Sequence, residues 1–219
     1  MTRPHLLEGQ TLPAAPLQRR SQDNRARLKA AALVAFGEKG YEKTSIDEIA
    51  RRASLATGTV YQHYRSKRQL LLALMDDLLE QLSQLDLKPA DVGDPRSVLH
   101  DLLTRAFARD LRYLGAYRAW QEAVLADADL NEKQQAIHVW TTARVLAVLQ
   151  YLQRLPGARV DVDLHSLATV LDRLFWSLLG QASRMPEAEL QRSIASVTHL
   201  MHHAMFRDPR HEGGATKGK

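Results

Sequence analysis

TSIDEIARRASLATGTVYQHYRSK, residues Thr44 to Lys67, spells a short helix, a tight turn, a second short helix and the start of a third. Ser45 and Glu48, three positions apart, form a capping box: the hydroxyl accepts a backbone N–H and the carboxylate reaches back. Ile46, Ile49 and Ala50 then share one face and require a core. Ala53-Ser54-Leu55-Ala56 breaks the period, and Thr57 to Tyr64 restarts it with Val60 inward and polar groups outward. Two short helices separated by such a turn make a helix-turn-helix, whose second helix fits the major groove of B-DNA.

The charge distribution agrees with that reading. Residues 1–68 hold 13 Lys/Arg against 6 Asp/Glu, a net +7, whereas the remaining chain is a net −2. A basic end on a nearly neutral body is the footprint of contact with a polyanion. With 219 residues, 45% of them apolar, the chain has material for one large domain or two small ones. It has no cysteine, which rules out disulfides and thiolate metal sites. No apolar run reaches the roughly 18 residues of a membrane span, and no signal-like stretch follows Arg3. The expected place of work is the cytoplasm.

Periodicity predicts an all-α fold of about nine helices. Residues 1–21, with Pro4, Pro13, Pro16 and the pair Arg19-Arg20, read as a flexible basic arm, either untethered or laid along DNA. Helix 1 is expected from about Asp23 to Lys39, with Leu28, Ala32, Ala35 and Phe36 as its stripe and Gly40 as a left-handed cap. Ser66 and Gln69 open helix 4, which carries leucines to about Leu85, and a loop spans 86–95. Asp94-Pro95 starts a helix to about Leu114, and Gly115 reads as a break. Further helices are expected at about 116–126, 130–155, 163–185 and 186–206, before a Gly- and Lys-rich tail over 207–219 read as disordered. Residues 22–68 then form a DNA-binding domain and 69–206 a second helical domain.

The last two helices carry stripes at steps of 3 and 4: Leu164, Leu167, Leu171, Leu174 and Leu178, then Leu190, Ile194, Val197 and Met201. Either these faces belong to the chain's own core, or a two-fold copy covers them in an intermolecular four-helix bundle. The second is the expectation, because DNA-reading helices work in pairs.

At residues 22–72 the chain resembles the TetR family of bacterial transcriptional regulators. Ala31, Ala32, Phe36, Gly40-Tyr41, Thr44-Ser45-Ile46, Ile49-Ala50, Ala53, Thr57 to Tyr61, Tyr64 and Ser66-Lys67 match without gaps. The resemblance implies a three-helix DNA-binding domain, a connecting helix 4 and a C-terminal domain for ligand binding and dimerisation. It also implies a homodimeric repressor released from a palindromic operator by a small molecule. Where the family commonly has Gly-Val-Ser, this chain has Ser54-Leu55-Ala56. A serine at a turn suited to glycine costs about 1 kcal/mol, and Ala56 leaves the second helix without a side-chain cap, a job that Thr57 would inherit.

Helix N-termini present free N–H groups to phosphates, which selects Thr44 and Ser45 on helix 2 and Thr57, Gly58 and Thr59 on helix 3. Gln62 is suited to pair bidentately with adenine. The resemblance adds Tyr61, His63 and Lys67 as phosphate contacts and leaves Tyr64 to the core. For the small molecule, aromatic walls with a few polar groups point to Tyr113, Tyr117, Trp120, Trp140, Arg144, Asp172, Arg173 and Trp176. Two rivals remain. One is a DNA-binding nucleoid protein with no ligand. The other is a helical metal enzyme using His199, His202 and His203, although no Glu sits between them as in HExxH. No phosphate loop or nucleophile elbow is present, so the expectation is no enzyme, no cofactor and no metal.

Overall fold

The computed structural model describes residues 2–13, 19–84, 94–110 (106–110 as backbone), 113–182 and 185–206. The expected tail, and residues 86–93 of the expected loop, lie outside the described residues. Among the described residues the fold is all-α: α1 (Arg19–Lys39), α2 (Ile46–Arg52), α3 (Thr57–Tyr61), α4 (Lys67–Ser83), α5 (Pro95–Asp110), α6 (Leu114–Ala123), α7 (Ala128–Leu152), α8 (Leu164–Ala182) and α9 (Glu187–Met205). None of these helices is long and apolar enough to cross a membrane.

Helix ends follow local chemistry. Asp127 accepts the Leu130 N–H at the start of α7, and Asp163 accepts from His165 and Ser166 at the start of α8. Gly40 ends α1 with φ +77°, and a Cβ there would lie 2.2 Å from the Glu122 carboxylate that receives the Tyr41 N–H. The alternating residues after Gly157 do not build a sheet. Ala158 forms a single bridge to Phe206, which pins the end of α9.

The centre of the molecule is α4. Its leucines 70, 71, 72, 74, 78, 79 and 82 are all buried and form one broad apolar face, while Asp76, Asp77 and Glu80 occupy the remaining side. So wide an apolar face needs cover from several helices, and α1, α5 and α6 pack on α4. Each such leucine contributes about 2 kcal/mol of burial. One continuous core runs from Leu28 and Phe36 through α4 to Trp120, Trp140 and Trp176, straight across the expected boundary at residue 68.

Two expectations are corrected, and a third gains a second role. Residues 2–13 are not a free arm. Leu6 is 1% exposed, its N–H donates to Asp76 at 2.9 Å, and Arg3 pairs with Asp76 and Glu80 on α4. The break expected at Gly115 falls just before it, since α5 ends at Asp110 and α6 starts at Leu114. Gly115 itself sits in the first turn of α6, where a Cβ would come within 2.0 Å of the Leu33 carbonyl on α1, so glycine is what allows the two backbones to meet. Finally, the stripes on α8 and α9 turn inward. Leu164, Leu167, Leu171, Leu174 and Leu178 pack with Leu99, Val148 and Leu149, together with Val197 and Met201, while Leu190 and Ile194 pack against Ala182. The reason is that α5 and α7 carry apolar stripes of their own, which cover those faces within the chain.

Candidate nucleic-acid interface and inner cavity

The helix-turn-helix is assembled by a few buried anchors. Ile49 and Ala50 on α2, Val60 on α3, and Tyr64 beyond it insert against Leu28, Ala32 and Phe36 of α1. Ser45 caps α2 by accepting the Glu48 N–H at 3.2 Å. The reciprocal half of the box is diverted: Glu48 receives Lys39 and Arg52 instead, and these cations hold its carboxyl below the ordinary value. Ser54 takes φ +53°, the left-handed conformation that the sequence anticipates at this turn. The Arg27 guanidinium braces that turn by donating to the Ala53 and Ser54 carbonyls.

The expected DNA contacts divide into two groups. Ser45, Gly58, Tyr61 and Gln62 are exposed, and Thr57 and Thr59 are half-buried beside them, so they share one open face. Gln62 sits just past the end of α3, as its C-cap. Ala56 provides no side-chain cap to α3, and Thr57 does not replace it, because its hydroxyl donates to Asp47 at 2.7 Å.

Thr44, His63 and Lys67 are engaged inside the protein. The Thr44 side chain is buried and donates to the Ala35 and Gly40 carbonyls, completing the end of α1. His63 is 5% exposed, and burial first, then the Arg25 charge, push its pKa down, which keeps it neutral near pH 7. A buried neutral imidazole is a poor phosphate ligand. The Lys67 ammonium donates to the Tyr41, Glu42 and Thr44 carbonyls and lies 4.3 Å from the centroid of the Tyr41 ring. Tyr64 is fully buried, as expected, with its hydroxyl accepting from Arg25.

A cavity of about 130 Å³ lies between α4, α5, α7, α8 and α9. Of the expected ligand residues it gathers Trp140, Arg144 and Asp172. Its walls are otherwise aliphatic: Leu102 and Leu103 from α5, Val145 and Val148 from α7, Leu171, Leu174 and Leu178 from α8. Thr141, Phe175, Val197 and Met201 complete it. The inward stripe of α8 is thus one wall of this cavity. Arg144 donates to the Leu82 carbonyl at 2.9 Å and stacks over Trp140, which ties the cavity to the end of α4.

The remaining expected ligand residues lie elsewhere. Tyr117 and Trp176 pack on each other, ring centroids 5.0 Å apart, and burial raises the Tyr117 pKa to about 12, with the Asp172 charge adding to it. Tyr113 accepts from Gln81, and Arg173 points to solvent. Trp120 is fully buried and donates to Gln134. That bond begins a chain with a single direction. Gln134 meets His138 Nε2 at 2.6 Å, and His138 Nδ1 meets Asp172 Oδ2 at 2.8 Å. Since the Gln134 nitrogen donates, the network assigns His138 as the Nδ1–H tautomer. Gln134 and His138 were missed by the sequence reading, although their i, i+4 spacing on the buried face of α7 was visible.

His199 and His203 contact ring to ring, with centroids 4.2 Å apart, and His202 stacks on Phe206. Among the described residues no group of three His, Cys, Asp or Glu is placed to hold a metal ion.

These features define a helix-turn-helix protein with a cavity inside its helical body. Residues 28–74 match the bacterial regulatory proteins of the tetR family. The HTH-type transcriptional regulator TtgR of Pseudomonas putida is 33% identical over 89 residues, 40% of this chain and 42% of TtgR. TtgW, another HTH-type regulator of Pseudomonas putida, is 30% identical over 105 residues, 43% of this chain and 77% of TtgW. In relatives such as TtgR, the chain spans about two fifths of the relative's length. The solved SmeT–triclosan complex shares the fold at TM-score 0.67 and 23% identity, covering 90% of this chain and 98% of that one. The chain belongs to the TetR family of bacterial regulatory proteins.

Proposed function

We propose that this chain is a cytoplasmic DNA-binding transcriptional regulator, working as a homodimeric repressor that a small molecule releases from a palindromic operator. The observation that carries the proposal is the path from α3 to the cavity. The exposed face of Thr57, Gly58, Thr59, Tyr61 and Gln62 immediately precedes α4 in the chain, and the far end of α4 supplies Leu82 to the cavity wall. Ser45 and the N-terminus of α3 meet phosphates, and Gln62 reads a base. Residues 22–68 act as the reading head and 69–206 as the ligand-binding and dimerisation body, although they share one core.

Since the leucine stripes face inward, the pairing surface is assigned to the outward faces of α8 and α9. Val170 and Leu200 are each 62% exposed there, beside Thr169, Arg173, Ser196 and His199. Two copies joined through this face set the separation of two α3 helices. A ligand that fits the cavity only when the end of α4 has shifted favours a separation that no longer matches the half-sites. The complex of SmeT with triclosan supports a ligand role for this fold.

Binding of purified full-length protein to a fluorescent duplex from the promoter beside its own gene tests the proposal. The expected result is two chains per site, with affinity that falls steeply as salt rises. Leu200→Glu is expected to give single chains in sedimentation velocity and to weaken operator binding. No binding at low salt, or tight binding by single chains, would overturn it.

A further inference from the structure

Asp172 is 1% exposed, lines the cavity, and has one of its two carboxylate oxygens without a hydrogen-bond partner among the described residues. Oδ2 is committed to His138, which is itself held by the Gln134–Trp120 chain. That chain consumes the donors on its side, with the imidazole Nδ1–H on Oδ2, and Oδ1 is left over. A buried acceptor without a donor is costly, and a native fold that retains one has a use for it. Arg144 lines the same cavity, but its guanidinium is on the Leu82 carbonyl and the Trp140 ring. Thr141 also lines it, but its hydroxyl donates to the Ile137 and His138 carbonyls, and the other described walls are aliphatic or aromatic.

Size narrows the choice further. Drug-sized ligands occupy pockets of about 300–1,000 Å³. An apolar cavity of about 150 Å³ takes one benzene, and this one measures about 130 Å³.

We infer that the cavity binds a compact, single-ring-sized apolar molecule carrying one hydrogen-bond-donating head, an ammonium or a hydroxyl, that donates to Asp172 Oδ1. This deepens the effector reading above and depends on it only for its regulatory meaning. The ring lies among Leu102, Val145, Val148, Leu174 and Leu178, and the head completes the polar chain that starts at Trp120. An ammonium is the better match, because it also neutralises the buried carboxylate.

Three probes of nearly one shape separate these contributions: toluene, benzyl alcohol and benzylamine. Binding to the full-length chain is followed by thermal shift and by tryptophan emission, since Trp140 lines the cavity. The expected order is benzylamine, then benzyl alcohol, then toluene, with benzylamine at least about tenfold tighter than toluene. Asp172→Asn is expected to remove that tenfold advantage while leaving toluene bound, which shows the cavity intact. Leu174→Phe, which fills the space from α8, is expected to abolish the response to all three. Equal affinity for the three probes, an advantage for benzylamine that survives Asp172→Asn, or a full response in Leu174→Phe would overturn the inference. Operator affinity in the same samples separates this claim from the broader one. Tight benzylamine binding without an effect on DNA leaves the site standing and removes its effector role. An effector that works equally well on Asp172→Asn does the opposite.

Discussion

The head of the molecule, α1 to α3, and the body, α5 to α9, solve packing differently. In the head a few residues with no exposed surface (Leu28, Phe36, Ile49, Val60, Tyr64) form the interior. The body has more apolar side chains, yet it keeps a cavity with a charged residue at its edge. Under the proposed function, a short helix that presents a fixed face to DNA needs rigid support, and close packing supplies that. A chamber that accepts a guest gives up some packing, and therefore some stability.

Truncating one leucine of α4 beneath the head and one on the cavity wall gives the largest contrast. Leu70→Ala, fully buried beneath the head, is expected to cost about 4 kcal/mol in urea unfolding. Leu174→Ala, on the wall of an existing cavity, is expected to cost about 1–2 kcal/mol, because few contacts are lost. Equal costs would erase the distinction between head and body. Gly115→Ala comes next, at about 2–3 kcal/mol, since its methyl would meet the Leu33 carbonyl and push α6 from α1. Wild-type stability in that variant would show that the helices cross less closely.

Gln62→Ala should leave folding unchanged and alter preference at one base pair by about 1–3 kcal/mol, as read by binding-site selection. Lys67→Ala behaves differently from a pure phosphate contact. Its ammonium holds three carbonyls, so a loss of about 1 kcal/mol of stability accompanies any loss of DNA affinity. Ser54→Gly is the smallest change, a gain of about 1 kcal/mol from relief of the left-handed serine. Acid should act on the head as well. The depressed His63 pKa means that the unfolded chain binds the proton more readily, so this residue's contribution to stability falls as pH drops through the unfolded value of about 6.5. His63→Phe should flatten that part of the profile.

Sequence was most informative where causes are local. Ser45, Ser66, Asp163 and Gly40 cap the helices they appear to cap, because a cap involves residues three or four positions away. It failed where a partner is distant. Gly115 reads only as the mark of a break between helices, and its close approach to Leu33, more than 80 positions earlier, is invisible in the sequence. The leucines of α8 are equally good for a neighbour chain or for α7, and periodicity does not say which. Thr44 has the residue type of a phosphate ligand, but the open carbonyls at the end of α1 claim its hydroxyl first. Asp172 stands out in the sequence only as one of a few polar groups among aromatic residues. Its significance rests on His138, 34 positions earlier.

The meeting of Gly37 and Gly115 has a mechanical consequence. Most helix contacts are cushioned by side chains that change rotamer when one helix slides. Here main chain rests on main chain, so nothing soft absorbs a displacement of α6. The position of α6 is therefore tied rigidly to that of α1, the helix against which Val60 and Tyr64 pack.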